Sequence, residues 1–312
     1  MADSPIYRVV FMGTPAFAVP VLQAMIDHPQ INVVGVVTAP DRVAGSAPVE
    51  FNPTKQRALQ KNIPVLQPAK IRKNPEFEAR LKALSPDLIV VAAYGKILPQ
   101  EILDLPKYGA INIHPSMLPK YRGASPVVGA VLAGDKETGV TIIRMTTEMD
   151  AGDIIKMGEP VSIKPTDTAL ALIHKLFEEG ATMLTEIIVP YIEKRVAPVP
   201  QDESRATYVE LLTSEQGRID WHQDAAQIDR MIRAYLPWPG TYTFWQGKRL
   251  KILSATPMVE ANNTLGQAKA IDGDLYIGKL RIDRLQLEGK NAMSGAEFLR
   301  GYPQFPETFV IE

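Results

Sequence analysis

The sequence predicts an α/β fold, a mostly parallel sheet with helices on both faces, followed by a smaller C-terminal β-barrel domain. Three observations predict it. Strand-like and helix-like segments alternate up to Pro190, the rhythm of a parallel sheet wrapped by helices. Leu88–Ala93 (LIVVAA) is continuously apolar, as strands buried on both faces of a parallel sheet are. Beyond Pro190 the chain changes to short strand-like runs divided by Gly, Asn and Asp, which suggests a small barrel or sandwich.

The elements follow in order. Tyr7–Met12 (YRVVFM) reads as a buried strand ending at Gly13-Thr14-Pro15. Ala18–Ile26 reads as a helix with Val19, Leu22, Ala24 and Ile26 apolar, and Ile31–Thr38 as the second strand. Thr54–Lys61 reads as a helix, Val65–Gln67 as a short strand and Pro75–Leu84 as an amphipathic helix. Leu88–Ala93 and Ala110–Ile113 are the next strands, then Val140–Met145 and Ile154–Glu159. Asp167–Glu179 and Ala181–Ile188 read as one long helix or two. Arg195–Ala206 (RVAPVPQDESRA), polar and Pro-containing, reads as an extended linker. Ala225–Ala234 is a helix, with strands at Thr241–Trp245, Arg249–Ser254, Leu275–Ile277 and Lys279–Leu287. The expected division is an α/β domain at 1–190, a linker at 191–206 and a barrel domain at 207–312.

Composition narrows the function classes. A length of 312 residues suggests about two domains, and 46% hydrophobic with 22% charged residues is enough for a sizeable core. A net charge of -1 argues against gross nonspecific adhesion to nucleic acid or membrane while allowing a local basic groove. The absence of cysteine excludes disulfides, thiolate metal sites and cysteine nucleophiles, and fits a reducing compartment. The opening MADSPIYRVVFMG lacks signal-peptide character, and no apolar run approaches the roughly 18 residues of a membrane span. The four histidines are dispersed. A monomeric cytoplasmic enzyme without a metal, away from membranes, is expected.

The candidate chemistry lies in Asn112–Pro126, NIHPSMLPKYRGASP. Residues i and i+2 of a strand point to one side, so Asn112 and His114 can converge on one reacting group while Ile113 faces the core. Ligands of open α/β sheets bind at the carboxyl ends of the strands. Two more loops belong to such a sheet, Gly13–Pro20 (GTPAFAVP) and Glu148–Asp153 (EMDAGD). The first lacks the second and third glycines of a dinucleotide fingerprint. The second offers Asp150, with Asp153 as a near alternative. Ser116 sits in a Pro-flanked turn without the Gly-x-Ser-x-Gly elbow of a nucleophile, so it reads as a backbone or ligand-contact residue.

FMGTPAFAVP, TAPDRVAG, AAYGKILP, INIHPSMLPKYRGASP, MDAGD and RAYLPWPGTYTF together resemble the methionyl-tRNA formyltransferases, over nearly the whole chain. The Asn-x-His-Pro-Ser-x-Leu-Pro segment with a downstream Asp is shared with the wider group of folate-dependent formyltransferases. The resemblance implies a Rossmann-like first domain, an OB-like C-terminal barrel that binds tRNA, and formyl transfer from 10-formyltetrahydrofolate to the α-amino group of initiator methionyl-tRNA. It implies Asn112, His114 and Asp150 as the catalytic trio, and Ser116, Met117, Leu118 and Pro119 at the folate, with Tyr94–Pro99 as another wall. The chemistry suits these residues. An α-amino group of pKa roughly 7.7–8.0 is largely neutral near physiological pH and needs little activation. Asn112 and His114 can donate to the tetrahedral oxyanion, and such a donor is typically worth about 3–4 kcal/mol. Asp150 can orient His114 and pass protons.

The acceptor is less strongly written. Where the resembled family carries a basic insertion, Pro40–Pro53 reads PDRVAGSAPVEFNP, with Arg42 opposed by Asp41 and Glu50. Lys120, Tyr121 and Arg122 read either as a solvated surface run or as phosphate contacts. The clusters Lys248-Arg249-Lys251 and Lys279-Arg281-Arg284 are candidate phosphate contacts, while Trp221, Trp238 and Trp245 read as core or interface anchors. The alternatives are a sugar-nucleotide amine N-formyltransferase with the same trio and a noncatalytic RNA-binding protein on this scaffold.

Overall fold

The computed structural model describes residues 5–41, 52–258 and 266–310. The chain divides into two compact units, the first comprising Met1–Pro126, Glu137–Val161 and Ile173–Val209, the second Val127–Lys136, Ser162–Leu172 and Glu210–Glu312. In chain order the first 192 residues give β1 (Tyr7–Met12), α1 (Val19–Asp27), β2 (Ile31–Val37), α2 (Pro53–Gln60), β3 (Val65–Leu66) and α3 (Pro75–Ala83). Then come β4 (Leu88–Val91), α4 (Gln100–Leu103), β5 (Ala110–His114), β6 (Arg122–Gly123), α5 (Pro126–Ala133) and β7 (Glu137–Thr138). The series ends with β8 (Thr141–Arg144), β9 (Ile154–Met157), β10 (Val161–Ser162) and α6 (Ala169–Ile192).

The first unit is built on a seven-stranded sheet of order β3-β2-β1-β4-β5-β8-β9. Pairing is parallel from β3 to β5, then antiparallel for β5 with β8 and β8 with β9. All four residues of β4 are buried, and so are Val9–Met12 of β1. These central strands account for the unbroken apolar runs in the sequence, because both of their faces are covered. Strand order reverses between β1 and β4, which places the switch point beside the carboxyl end of β5. Side-chain caps start the helices where the sequence changes period: Asn52 Oδ1 accepts from Lys55 N at 2.7 Å and Asn74 Oδ1 from Phe77 N at 3.1 Å.

The long helical region is one helix that continues through Pro190 to Ile192. Helices α4 and α5 were not anticipated, and α5 (PVVGAVLA) has no polar stripe to show a helical period. After α6, residues of the expected linker bond to the first unit. Val199 N and O exchange hydrogen bonds of 2.8 Å with Ile154, and β11 (Tyr208–Val209) pairs in parallel with β6. No helix among the described residues is long and apolar enough to cross a membrane.

The second unit contains α7 (Ala225–Tyr235), β12 (Thr241–Trp245), β13 (Lys248–Pro257), β14 (Ala268–Ile271), β15 (Asp274–Ile277), β16 (Leu280–Leu287), β17 (Met293–Ser294), α8 (Gly295–Gly301) and α9 (Phe305–Thr308). Its antiparallel sheet runs β12-β13-β16-β15-β14, with β17 on β16. Leu250, Ile252, Leu275, Ile282 and Leu285 form its core with Phe298 and Phe305 from the closing helices. Trp221 and Trp245 are buried as expected, but Trp238 is 57% exposed. Trp238 lies in the Pro-flanked turn after α7, outside the sheet pattern that would turn it inward.

Candidate active site

Strand β5 carries the chemistry out of the sheet. Asn112 pairs across to Val91 on one side and Ile143 on the other, so its main chain is fixed by both neighbours. His114 pairs with Thr141 and is 3% exposed. The i, i+2 spacing aims both side chains at Asp150 from the loop between β8 and β9. Asn112 Nδ2 donates to Asp150 Oδ1 at 3.3 Å, and His114 Nδ1 lies 3.6 Å from Asp150 Oδ2. Asp150 Oδ2 also accepts from Gly123 N at 2.9 Å. Asp153 takes another path: its carbonyl accepts from Arg144 N at 2.9 Å.

The protonation pattern follows from the partners. His114 Nε2 lies 2.9 Å from the Tyr121 carbonyl, which can only accept, so Nε2 carries a hydrogen. Nδ1 then faces the carboxylate. Both imidazole nitrogens are therefore engaged, which leaves Asn112 as the member with a donor to spare. Its amide carries two hydrogens and spends one on Asp150.

The turn after β5 is self-contained. Ser116 is fully buried and its Oγ donates to Lys120 O at 2.6 Å. Leu118 N donates to Thr141 Oγ1 at 3.1 Å, and Thr141 Oγ1 donates to Ser116 O at 2.7 Å. Pro119 O accepts from Thr207 N at 3.2 Å. These main-chain groups are used within the protein, so the turn offers a flat ligand chiefly the half-buried Met117 and Pro119.

Arg122 corrects an expectation. It is 1% exposed, so it is neither a surface residue nor a phosphate contact. Its Nε and Nη2 donate to Gln201 Oε1 at 3.1 and 2.9 Å, and Nη1 and Nη2 donate to Glu203 at 2.8 and 2.6 Å. The hydrogen bond from Arg122 holds the Glu203 carboxyl below the usual carboxylate range. A guanidinium enters the interior only when its donors are matched, and no local pattern in the sequence announces the match. Gln201 was missed for the same reason: it stands in a polar segment that reads as a linker.

Tyr94, from the loop after β4, packs among Met12, Val91 and Leu98, and its hydroxyl is buried without a hydrogen-bond partner among the described residues. Burial pushes that phenol well above its usual range. Asp41 is bound by Lys55 and by Gln67 Nε2 at 3.1 Å rather than facing a loop arginine, and residues 42–51, including Arg42 and Glu50, lie outside the described residues.

Known proteins share this arrangement's sequence. The pattern described as formyl transferase matches residues 7–188, and the formyl transferase C-terminal domain matches residues 211–303. The chain belongs to the formyl transferase family. Among relatives of that family, the methionyl-tRNA formyltransferase of Caldanaerobacter subterraneus subsp. tengcongensis is 43% identical over 98% of this chain and 100% of its own. That of Roseiflexus sp. strain RS-1 is 44% identical over 94% of this chain and 92% of its own. That of Enterococcus faecalis is 43% identical over 95% and 96%. Solved structures share the formyl transferase fold at lower identity. The sugar 3N-formyl transferase WlaRD superposes with a TM-score of 0.65 at 18% identity, covering 93% of this chain and all of that one. HypX of Aquifex aeolicus in complex with tetrahydrofolic acid gives 0.63 at 17% identity over 95% of this chain, which spans about half (47%) of HypX.

Proposed function

We propose that this formyl transferase moves the formyl group of 10-formyltetrahydrofolate to the α-amino group of methionine on initiator tRNA, in the cytoplasm. The observation that carries the chemistry is the convergence of Asn112, His114 and Gly123 on the Asp150 carboxylate at the end of a central strand. The support for the acceptor is the family of full-length relatives, all methionyl-tRNA formyltransferases at 41–44% identity.

The amine nitrogen attacks the formyl carbon, the bond from that carbon to the folate nitrogen breaks, and the proton lost by the amine replaces it on the leaving nitrogen. The spare N–H of Asn112 stabilises the oxyanion between these events. Asp150 accepts and returns the proton, with the His114 imidazole fixed behind it by the Tyr121 carbonyl. Met117 and Pro119 form a wall for the pterin, with Ser116 and Leu118 beneath them as its buried support. The unpartnered Tyr94 hydroxyl suits a heterocycle with ring nitrogens. On this reading residues 1–190 act as the catalytic domain and 207–312 as the tRNA-binding domain, in a monomer.

One face of the second unit supports the tRNA role. Arg249 lies opposite Phe244 and Lys251 opposite Tyr242, so cations and aromatic rings alternate on one side of the β12–β13 pair. The Arg249 guanidinium stacks 4.0 Å above the Tyr242 ring, and Arg249, Lys251, Phe244 and Gln286 line a cavity of about 450 Å³. The second basic cluster is partly spent, since Arg281 Nε bonds Asp283 at 2.8 Å. Replacing Arg249 and Lys251 with Glu is expected to raise the KM for tRNA about tenfold or more and to flatten its salt dependence by about one log unit per phosphate lost. The KM for the folate donor should not move. An unchanged salt slope would remove this face from the tRNA contact. The proposed activity itself is tested by incubating the protein with 10-formyltetrahydrofolate and methionyl-tRNA, then deacylating. Recovery of N-formylmethionine is expected, and its absence from a folded, folate-binding preparation would overturn the reading.

A further inference from the structure

We propose that Gln201 is a positioning residue for formyl transfer, setting the Asp150 carboxylate by gripping the backbone on both sides of it. The inference rests on the reading of Asn112, His114 and Asp150 as the reacting centre.

Gln201 Nε2 donates to the Asp150 carbonyl at 2.8 Å and to the Gly152 carbonyl at 2.7 Å, so both amide hydrogens are spent inside one loop. Asp150 has φ 52, a conformation uncommon for a residue with a side chain and maintained where surrounding structure dictates it. The amide oxygen is equally committed, accepting from Arg122 Nε and Nη2. Those bonds fix which end of the amide faces which partner. The next residue, Gly123, supplies the N–H that holds Asp150 Oδ2 at 2.9 Å. A closed ring results, running from the Asp150 carboxylate through Gly123, Arg122 and Gln201 to the Asp150 backbone. Gln201 is 9% exposed and Arg122 1%, so water does not replace these bonds. Only an amide offers an acceptor to the guanidinium and two donors to the carbonyls. A glutamate would set a carboxylate oxygen against the carbonyls. The ring closes through the segment that lies on the first unit by the Val199–Ile154 bridge and the β11–β6 pairing.

The test uses the full chain, 10-formyltetrahydrofolate and methionyl-tRNA. Gln201→Leu should lower kcat by about 10–100-fold through displacement of Asp150, with both KM values within about twofold of the parent. In an Asp150→Asn background the same substitution should cost nothing further, because the group it positions is already gone. A parent-like kcat, a rise in KM with kcat untouched, or the full loss repeated on top of Asp150→Asn would each overturn the inference. Gln201→Glu retains the acceptor for Arg122 and covers the case in which the Leu variant fails to fold; its kcat should fall while its unfolding midpoint stays, and a parent-like kcat would overturn the inference. The two levels separate cleanly. Parent-like Gln201 variants beside a crippled Asp150→Asn would sink this inference alone, whereas an undiminished Asp150→Asn would sink the reacting centre and the inference with it.

Discussion

Replacing Asp150 with Asn is expected to lower kcat for formyl transfer by about 10²- to 10⁴-fold, the range that positioned acid–base groups contribute. The shape of the residue is kept, so the effect isolates its charge and its acceptors. Asp150 accepts from Asn112 Nδ2 and Gly123 N and faces His114 Nδ1. An Asn amide can accept at one atom only, and its NH₂ would oppose at least one of these donors. The orientation of Asn112 then loosens at the same time as the proton acceptor disappears, so transition-state stabilisation and proton transfer fail together. Single-turnover rates at saturating folate and tRNA, with circular dichroism as a check on folding, measure this directly. A kcat within a few-fold of the parent would exclude Asp150 from the reaction.

The second large effect is structural in origin and catalytic in result. Gly152 is buried, and a Cβ placed on it would lie 1.7 Å from the Arg144 carbonyl oxygen and 2.9 Å from its carbon. Those are backbone atoms of β8, held by pairing with both β5 and β9, and they cannot step aside as a flexible side chain would. Gly152→Ala must therefore push out the loop that carries Asp150. It is expected to destabilise the protein by about 1–3 kcal/mol, the range for an overfilled interior. It is also expected to cut kcat by about 100-fold, since a shift near 1 Å at a reacting group has that effect. Denaturant midpoints and initial rates read the two consequences separately. A variant with parental midpoint and rate would show that the loop moves freely, against the tight framing of Asp150.

The sequence reads well where one element decides its own structure. Strands β1 and β12 lie at their anticipated limits, because apolar and β-branched runs bounded by Gly, Pro or Gln-Gly are sufficient local signals. The pairing of Asn112 with His114 follows from the period of a strand. Asp150 stands 38 residues from Asn112, and that partnership came from resemblance to a family rather than from spacing. Arg122 and Gln201 were not legible at all. A buried guanidinium and a buried amide look like surface residues until the tertiary partners are known. Helix α5 escaped because it lacks a polar face. Helix α8 was within reach: Ser294 and Glu297 form a capping box whose Ser-x-x-Glu spacing stands openly in the sequence.

The acceptor is decided most directly by competition in one vessel. The protein is supplied with 10-formyltetrahydrofolate labelled in the formyl group, together with methionyl-tRNA and an amino-sugar nucleotide, and both products are counted. Label is expected on the tRNA-borne methionine, abolished in parallel by Asn112→Ala and Asp150→Asn. Label on the sugar nucleotide with none on the tRNA would contradict the assignment.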